Sequence, residues 1–195
     1  MLNFTVSSLM LAVLLAAGPA TAAGPTETVQ AASEQVFSSQ GSPAVKTLSL
    51  AERRADVRKV VEALFDFTDM SERSLGKAWT QASPAQQQEF IRLFSTLIAN
   101  AYLNRIEQYK NEPITYVSEK IDGDEASVQS RVLTPKGSDI GLDYKLYRFN
   151  DRWHVYDIFV DGISLVGSYK AQFQRIIQRS SFADLLKTLR EKTGS

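Results

Sequence analysis

Apolar residues recur at helical spacing through the first half of the chain. Val29, Ala32, Val36 and Phe37 predict a helix over 26–39, ended by Gly41-Ser42-Pro43. Ser49 and Glu52 form a capping-box pair that opens a second helix through about Leu64, with Val57, Val60, Val61 and Leu64 on its apolar face. Phe65-Asp66-Phe67 leaves that helix, and Thr68 or Asp69 is expected to cap a short one holding Met70, Leu75 and Trp79. Ser83-Pro84-Ala85-Gln86 is the clearest start signal: a Ser cap, Pro at the first helical position and Gln three residues after the cap. The helix it opens is expected to reach about Tyr109 along a stripe containing Phe90, Leu93, Phe94, Leu97, Ile98, Ala101, Tyr102 and Ile106.

The period then changes to two. Ile114, Tyr116 and Ser118 alternate up to Asp122-Gly123, Ala126 to Val132 up to Pro135-Lys136-Gly137, and Ile140 to Leu146 up to Asn150-Asp151. With a fourth strand over 152–160, the pattern predicts a four-stranded antiparallel meander. The stretch 153–169 is the densest in the chain: a strand apolar on both faces runs through an Asp-Gly turn into an apolar helix, so it should lie centrally. Helices over 164–179 and 182–191 close the chain, the latter after a Ser181 and Asp184 cap. Helices, then a meander, then helices define an α+β class with an apolar pocket between sheet and helices, NTF2-like or cystatin-like in broad layout.

Residues 1–23 carry no charged side chain, and Leu9–Ala17 is an apolar run broken by Gly18-Pro19 and followed by small residues. This reads as a secretory signal peptide cleaved after Ala22 or Ala23, leaving residues 24–195 as a single domain. The n-region has no Lys or Arg, and the alternative is an uncleaved N-terminal anchor; the run is short for a span of about 20 residues. No other stretch is apolar enough to cross a bilayer, so an exported, soluble mature protein is expected. Lys and Arg together balance Asp and Glu, 22 against 22, which argues against general nucleic-acid binding. Cys is absent, which removes disulfide frameworks and thiolate chemistry.

The catalytic inventory is thin. His154 is the only histidine and sits on a predicted strand, so a His-based metal site has no second ligand. Asp122-Gly123-Asp124-Glu125 lies where a hairpin turn belongs. Asp157 interrupts an apolar strand and is expected to be a hydrogen-bonded or paired carboxylate, the alternative being a general base in a pocket. A two-residue Asn150-Asp151 loop places it opposite Tyr144, a three-residue loop opposite Lys145, and sequence alone leaves both open. Ser164 reads as a helix cap, and neither it nor Ser168 has a nearby His or a Gly-x-Ser-x-Gly frame. The segment 164–195 is basic, with Lys170, Arg175, Arg179, Lys187, Arg190 and Lys192 against Asp184 and Glu191. Solvated helix faces explain it, and so would a patch facing anionic head groups or an acidic partner.

Several short strings, in order, resemble one family. They are Phe65-Asp66-Phe67, Met70, Leu75-Gly76 and Trp79; Ser83-Pro84, Glu89-Phe90 and Leu93-Phe94; Tyr102, Leu103, Arg105 and Tyr109. They continue with Trp153, Val155, Tyr156-Asp157, Val160, Gly162, Ser164-Leu165-Val166, Tyr169, Gln172 and Phe173. Together, behind an export signal, these resemble the MlaC-type (toluene-tolerance) periplasmic phospholipid-binding proteins. Lys170 stands where an Arg is common in that family.

The resemblance implies a non-enzymatic periplasmic carrier that holds the tails of a glycerophospholipid in an apolar cavity. It also implies exchange with an outer-membrane lipoprotein–porin complex and with an inner-membrane ABC transporter bearing MCE-domain rings. No cofactor and no metal are implied. Apolar face and motif position together point to Phe67, Met70, Trp79, Phe94, Leu97, Ile98, Tyr102, Leu146, Val160, Val166, Tyr169 and Phe173 as tail contacts. The rival readings are an exported, non-catalytic interaction module with a solid core, and a small isomerase or hydrolase using Asp157 with Tyr144 or His154.

Overall fold

The computed structural model describes residues 23–41, 49–108, 113–133 and 137–194, with the side chains of 37–41, 50 and 102–108 outside the description. The expected leader, apart from Ala23, lies outside these residues, as do Tyr109, the turn residues Pro135-Lys136 and the side chain of Tyr102.

Five helices precede the sheet: α1 (Pro25–Gly41), α2 (Leu50–Leu64), α3 (Phe67–Leu75), α4 (Lys77–Gln81) and α5 (Pro84–Gln108). The sheet contains β1 (Ile114–Asp122), β2 (Glu125–Leu133), β3 (Asp139–Phe149), β4 (Arg152–Val160) and β5 (Ile163–Ser164), followed by α6 (Leu165–Arg179) and α7 (Phe182–Thr193). All strand pairs are antiparallel and the order is β1-β2-β3-β4-β5, so the fold is α+β around a meander.

The predicted caps form. The Glu52 amide donates to Ser49 Oγ at 3.2 Å while Ser49 N donates to Glu52 Oε2 at 2.8 Å. Ser83 and Gln86 repeat this arrangement at α5, and the Asp184 amide donates to Ser181 Oγ at α7. Helix α3 starts earlier than expected. Asp66 is its cap, accepting from the Thr68 and Asp69 amides at 2.9 Å each, because Phe65 is held extended against Val155 and fixes the chain direction at Asp66. The helix also breaks at Gly76, which separates α3 from α4.

The sheet has one strand more than the meander read from sequence. Asp161 and Gly162 both take positive φ and close a two-residue hairpin, so Ile163 and Ser164 pair with Val160 and Phe159 before α6 begins. The β3–β4 hairpin likewise has a two-residue turn, with Asn150 and Asp151 at φ 48° and 59°. Yet Asp157 faces Lys145. A bulge after the Leu146–Val155 pair leaves Tyr156 without a partner and shifts the register by one, so turn length did not decide the pairing.

Apolar side chains gather in three clusters. The largest joins α3, α5, α6 and α7 through Met70, Leu75, Phe90, Leu93, Phe94, Phe173, Leu185 and Leu189. Phe173 meets Phe90 and Phe94 edge-on, each at 5.3 Å between ring centres. The second lies on the inner sheet face, where Val29 of α1 seals Ala126, Val128, Leu146, Trp153 and Val155. A small third cluster links α1, α2 and α5 through Val36, Val57 and Ala99.

Candidate functional site: an apolar cavity between helices and sheet

Helix α1 presents Val29, Ala32, Ser33 and Val36 along one face, the spacing of successive turns. Val29 plugs the end of the sheet nearest the β1–β2 and β3–β4 turns. Beyond it the helix and sheet part, and a cavity of about 300 Å³ opens. The helical wall comes from Ala32, Ser33 and Val36 of α1, from Val57, Arg58, Val60, Val61 and Leu64 of α2, and from Ile98 and Ala99 of α5. The sheet floor is a set of cross-strand neighbours. Ile114 pairs with Val132 and Val132 with Ile140, while Leu142 pairs with Val160 and Tyr144 with Ile158. All seven line the cavity, and Phe65 and Leu165 complete it.

The hollow has a local cause. Where α3, α5, α6 and α7 meet, the facing residues are chiefly Phe, Leu and Met, and they fill the space. Over the sheet floor the helices offer mainly Ala, Ser and Val beside Arg58, Leu64 and Ile98, and the short side chains leave space unfilled. Among the described residues the wall carries one charged side chain, Arg58. A surface of this kind suits methylene chains, since about 0.8 kcal/mol is gained per methylene withdrawn from water.

Among the residues expected from sequence, Ile98 and Val160 lie on the cavity wall. Phe67, Met70, Phe94, Val166 and Phe173 are buried members of the helical cluster, and Trp79, Leu97 and Tyr169 lie against it. Leu146 belongs to the sheet cluster under Val29. The aromatic positions Phe67, Trp79, Phe94, Tyr169 and Phe173 thus belong to the filled helical cluster, and Ala32, Val36, Val57, Val61, Ala99 and Leu142, not among the expected tail contacts, line the cavity. The usable signal was the run of small apolar residues on the inward faces of α1 and α2.

The candidate chemical groups are structural in their contacts. Asp157 is buried and its carboxylate accepts from Ile158 N at 2.8 Å, Ser164 Oγ at 2.5 Å and Val166 N at 3.0 Å. Ser164 Oγ in turn accepts from Gly167 N, so the pair caps α6 with a negative group at its positive end. Asp122 and Glu125 close the β1–β2 hairpin, and Asp124 binds Arg148 at 2.8 Å. His154 lies beside Tyr147, ring centres 5.8 Å apart. Tyr147 donates to Asp66, and burial together with that carboxylate pushes its phenol well above the usual tyrosine range. The basic residues of α6 and α7 are exposed; Arg179, Arg190 and Lys192 stand in last turns, and Arg190 also binds Glu89 at 2.7 Å.

Over 110 residues the chain is 32% identical to toluene tolerance protein Ttg2D of Pseudomonas putida, covering 56% of this chain and 51% of that protein. Over 125 residues it is 24% identical to the intermembrane phospholipid transport system binding protein MlaC of Haemophilus influenzae, covering 62% and 58%. The chain thus spans little more than half the length of these two relatives. A solved structure of a phospholipid-binding protein from Ralstonia solanacearum, in complex with a phospholipid, superposes with a TM-score of 0.76 at 27% identity, covering 86% of this chain and 95% of that one. No helix among the described residues is long and apolar enough to cross a membrane. The family model described as MlaC protein matches residues 30–191, and the chain belongs to that family.

Proposed function

We propose that this protein is a periplasmic phospholipid carrier. It takes a glycerophospholipid by its acyl tails and moves it between the outer and inner membranes, as the soluble component of an ABC-transporter-linked system that maintains outer-membrane lipid asymmetry. The observation that carries the reading is the apolar cavity between α1, α2, α5 and the sheet, in a chain of the MlaC family. The named relatives and the lipid-bound structural neighbour support it. The proposed tail contacts are the cavity residues, with Ile98 and Val160 among them.

The energetics suit a shuttle without covalent chemistry. Two long tails with roughly 30 methylenes represent on the order of 24 kcal/mol of gross hydrophobic free energy. Release into water is correspondingly slow, so transfer proceeds by docking to a second apolar site: the outer-membrane lipoprotein–porin complex on one side, the MCE-domain transporter on the other. The buried, fully engaged carboxylate of Asp157 serves the fold in this reading, and the protein is not an enzyme.

Native mass spectrometry of the protein purified without detergent, followed by lipid extraction, tests the proposal. A phospholipid adduct is expected, and only apo mass with an empty extract would overturn it.

A further inference from the structure

Among the described residues three polar side chains reach the cavity wall: Ser33, Tyr144 and Arg58. Ser33 Oγ donates to the Val29 carbonyl at 2.9 Å, and Tyr144 has an interaction of its own. Arg58 is different. It is partly buried, it is the one charged residue on the wall, and no hydrogen bond or ion pair engages it among the described residues. Arg73, Arg148 and Arg190, which lie away from the cavity, bind Asp69, Asp124 and Glu89.

An arginine stem can lie along an apolar wall while its guanidinium seeks water or an anion. Its planar fork matches the oxygens of a phosphate or carboxylate. The position also suits the geometry of α2. At the helical period Val57, Val60, Val61 and Leu64 share one arc of α2 and Arg58 falls just beyond Val61, so Arg58 stands at one margin of the apolar wall.

We infer that Arg58 is a specificity residue that binds the phosphate diester of the lipid whose tails fill the cavity. This rests on the carrier reading and refines it: the cargo is selected for one oxyanion joined to acyl chains, whatever alcohol the phosphate carries. Neutral diacylglycerol with the same tails gains the same apolar burial and lacks this contact. A charge-assisted contact at a partly exposed site corresponds to roughly a tenfold preference.

The test uses the full mature chain and three probes: dipalmitoyl phosphatidylglycerol, dipalmitoylglycerol and inorganic phosphate, each measured by displacement of a bound fluorescent fatty acyl reporter. The wild type should favour phosphatidylglycerol over dipalmitoylglycerol about tenfold. In Arg58→Gln that ratio should fall to about one, with phosphatidylglycerol binding weakened far more than dipalmitoylglycerol binding, and Arg58→Lys should restore part of it. High salt should lower the wild-type ratio in the same direction, a measurement that needs no variant. An undiminished ratio in Arg58→Gln, or a salt-independent ratio, overturns the assignment while leaving the carrier reading intact. Displacement by inorganic phosphate alone at concentrations near those of the lipid overturns it in favour of a free-anion site. Failure of both lipids to displace the reporter from wild type overturns the carrier reading, and this inference with it.

Discussion

The carboxylate of Asp157 receives the hydroxyl of Ser164 at 2.5 Å, and through this contact the fourth strand holds the start of the helix that follows it. Two amides, Ile158 N and Val166 N, point at the same carboxylate. A charged group that satisfies three donors in a buried place orders the β4–β5–α6 corner, and that corner supplies Ile158, Val160 and Leu165 to the cavity.

Asp157→Asn should therefore act on stability. The amide nitrogen can only donate, so one donor is left without an acceptor, at a cost of about 2 kcal/mol. Urea unfolding should show the loss, while the lipid-to-protein ratio after extraction stays at the wild-type value. A wild-type midpoint would contradict the capping role.

Filling the cavity should separate lipid binding from folding. Val61→Trp, Ala99→Trp and Leu142→Trp each place an indole in the hollow, and co-purified lipid should fall to less than about a tenth, with overpacking costs of about 1–3 kcal/mol. Leu93→Ala in the helical cluster is the converse case. It should cost about 2–5 kcal/mol in unfolding free energy and leave lipid content unchanged. Native mass spectrometry alongside thermal melts reads both.

Tyr147 ties stability to alkaline pH. Its phenol is raised in the fold by burial first and then by the Asp66 carboxylate it bonds. A group whose folded pKa is raised keeps its full stabilising effect below its unfolded value, about 10, and loses it as pH climbs from there toward the folded value. Stability should thus decline above about pH 10 in the wild type. Tyr147→Phe should be less stable at neutral pH and show a shallower alkaline decline. Some slope should persist, because burial also raises Tyr116 and Tyr156. Denaturation midpoints from pH 8 to 11 check the sign.

Gly76 stands between α3 and α4 with φ 55° and ψ −124°, a conformation that side chains strongly disfavour. An added Cβ would sit 3.8 Å from Lys170 Cε, ordinary contact, so Gly76→Ala tests backbone strain alone. A loss of about 1–3 kcal/mol is expected. An unchanged melting temperature would show that the α3–α4 break relaxes freely.

Local chemistry made much of this fold legible. Ser49 with Glu52, Ser83 with Gln86, and Ser181 with Asp184 are caps whose donor and acceptor lie three residues apart, so sequence contains the whole interaction. The meander followed in the same way from alternation and turn residues, and the ordered motifs from Phe65 to Phe173 marked the family. Three features needed the assembled molecule. The bulge at Tyr156 pairs Asp157 with Lys145 across a two-residue turn, because side-chain burial and the Phe65 contact with Val155 act on register from outside the hairpin. The Asp161-Gly162 hairpin adds a fifth strand whose two residues are too few to show a period. Above all, an apolar stripe looks the same whether it fills a core or borders a void. Phe94 and Phe173 are buried among partners, while Val36, Val57 and Leu142 face empty space, and that difference is set by the size of the residues opposite, which the chain brings together only on folding.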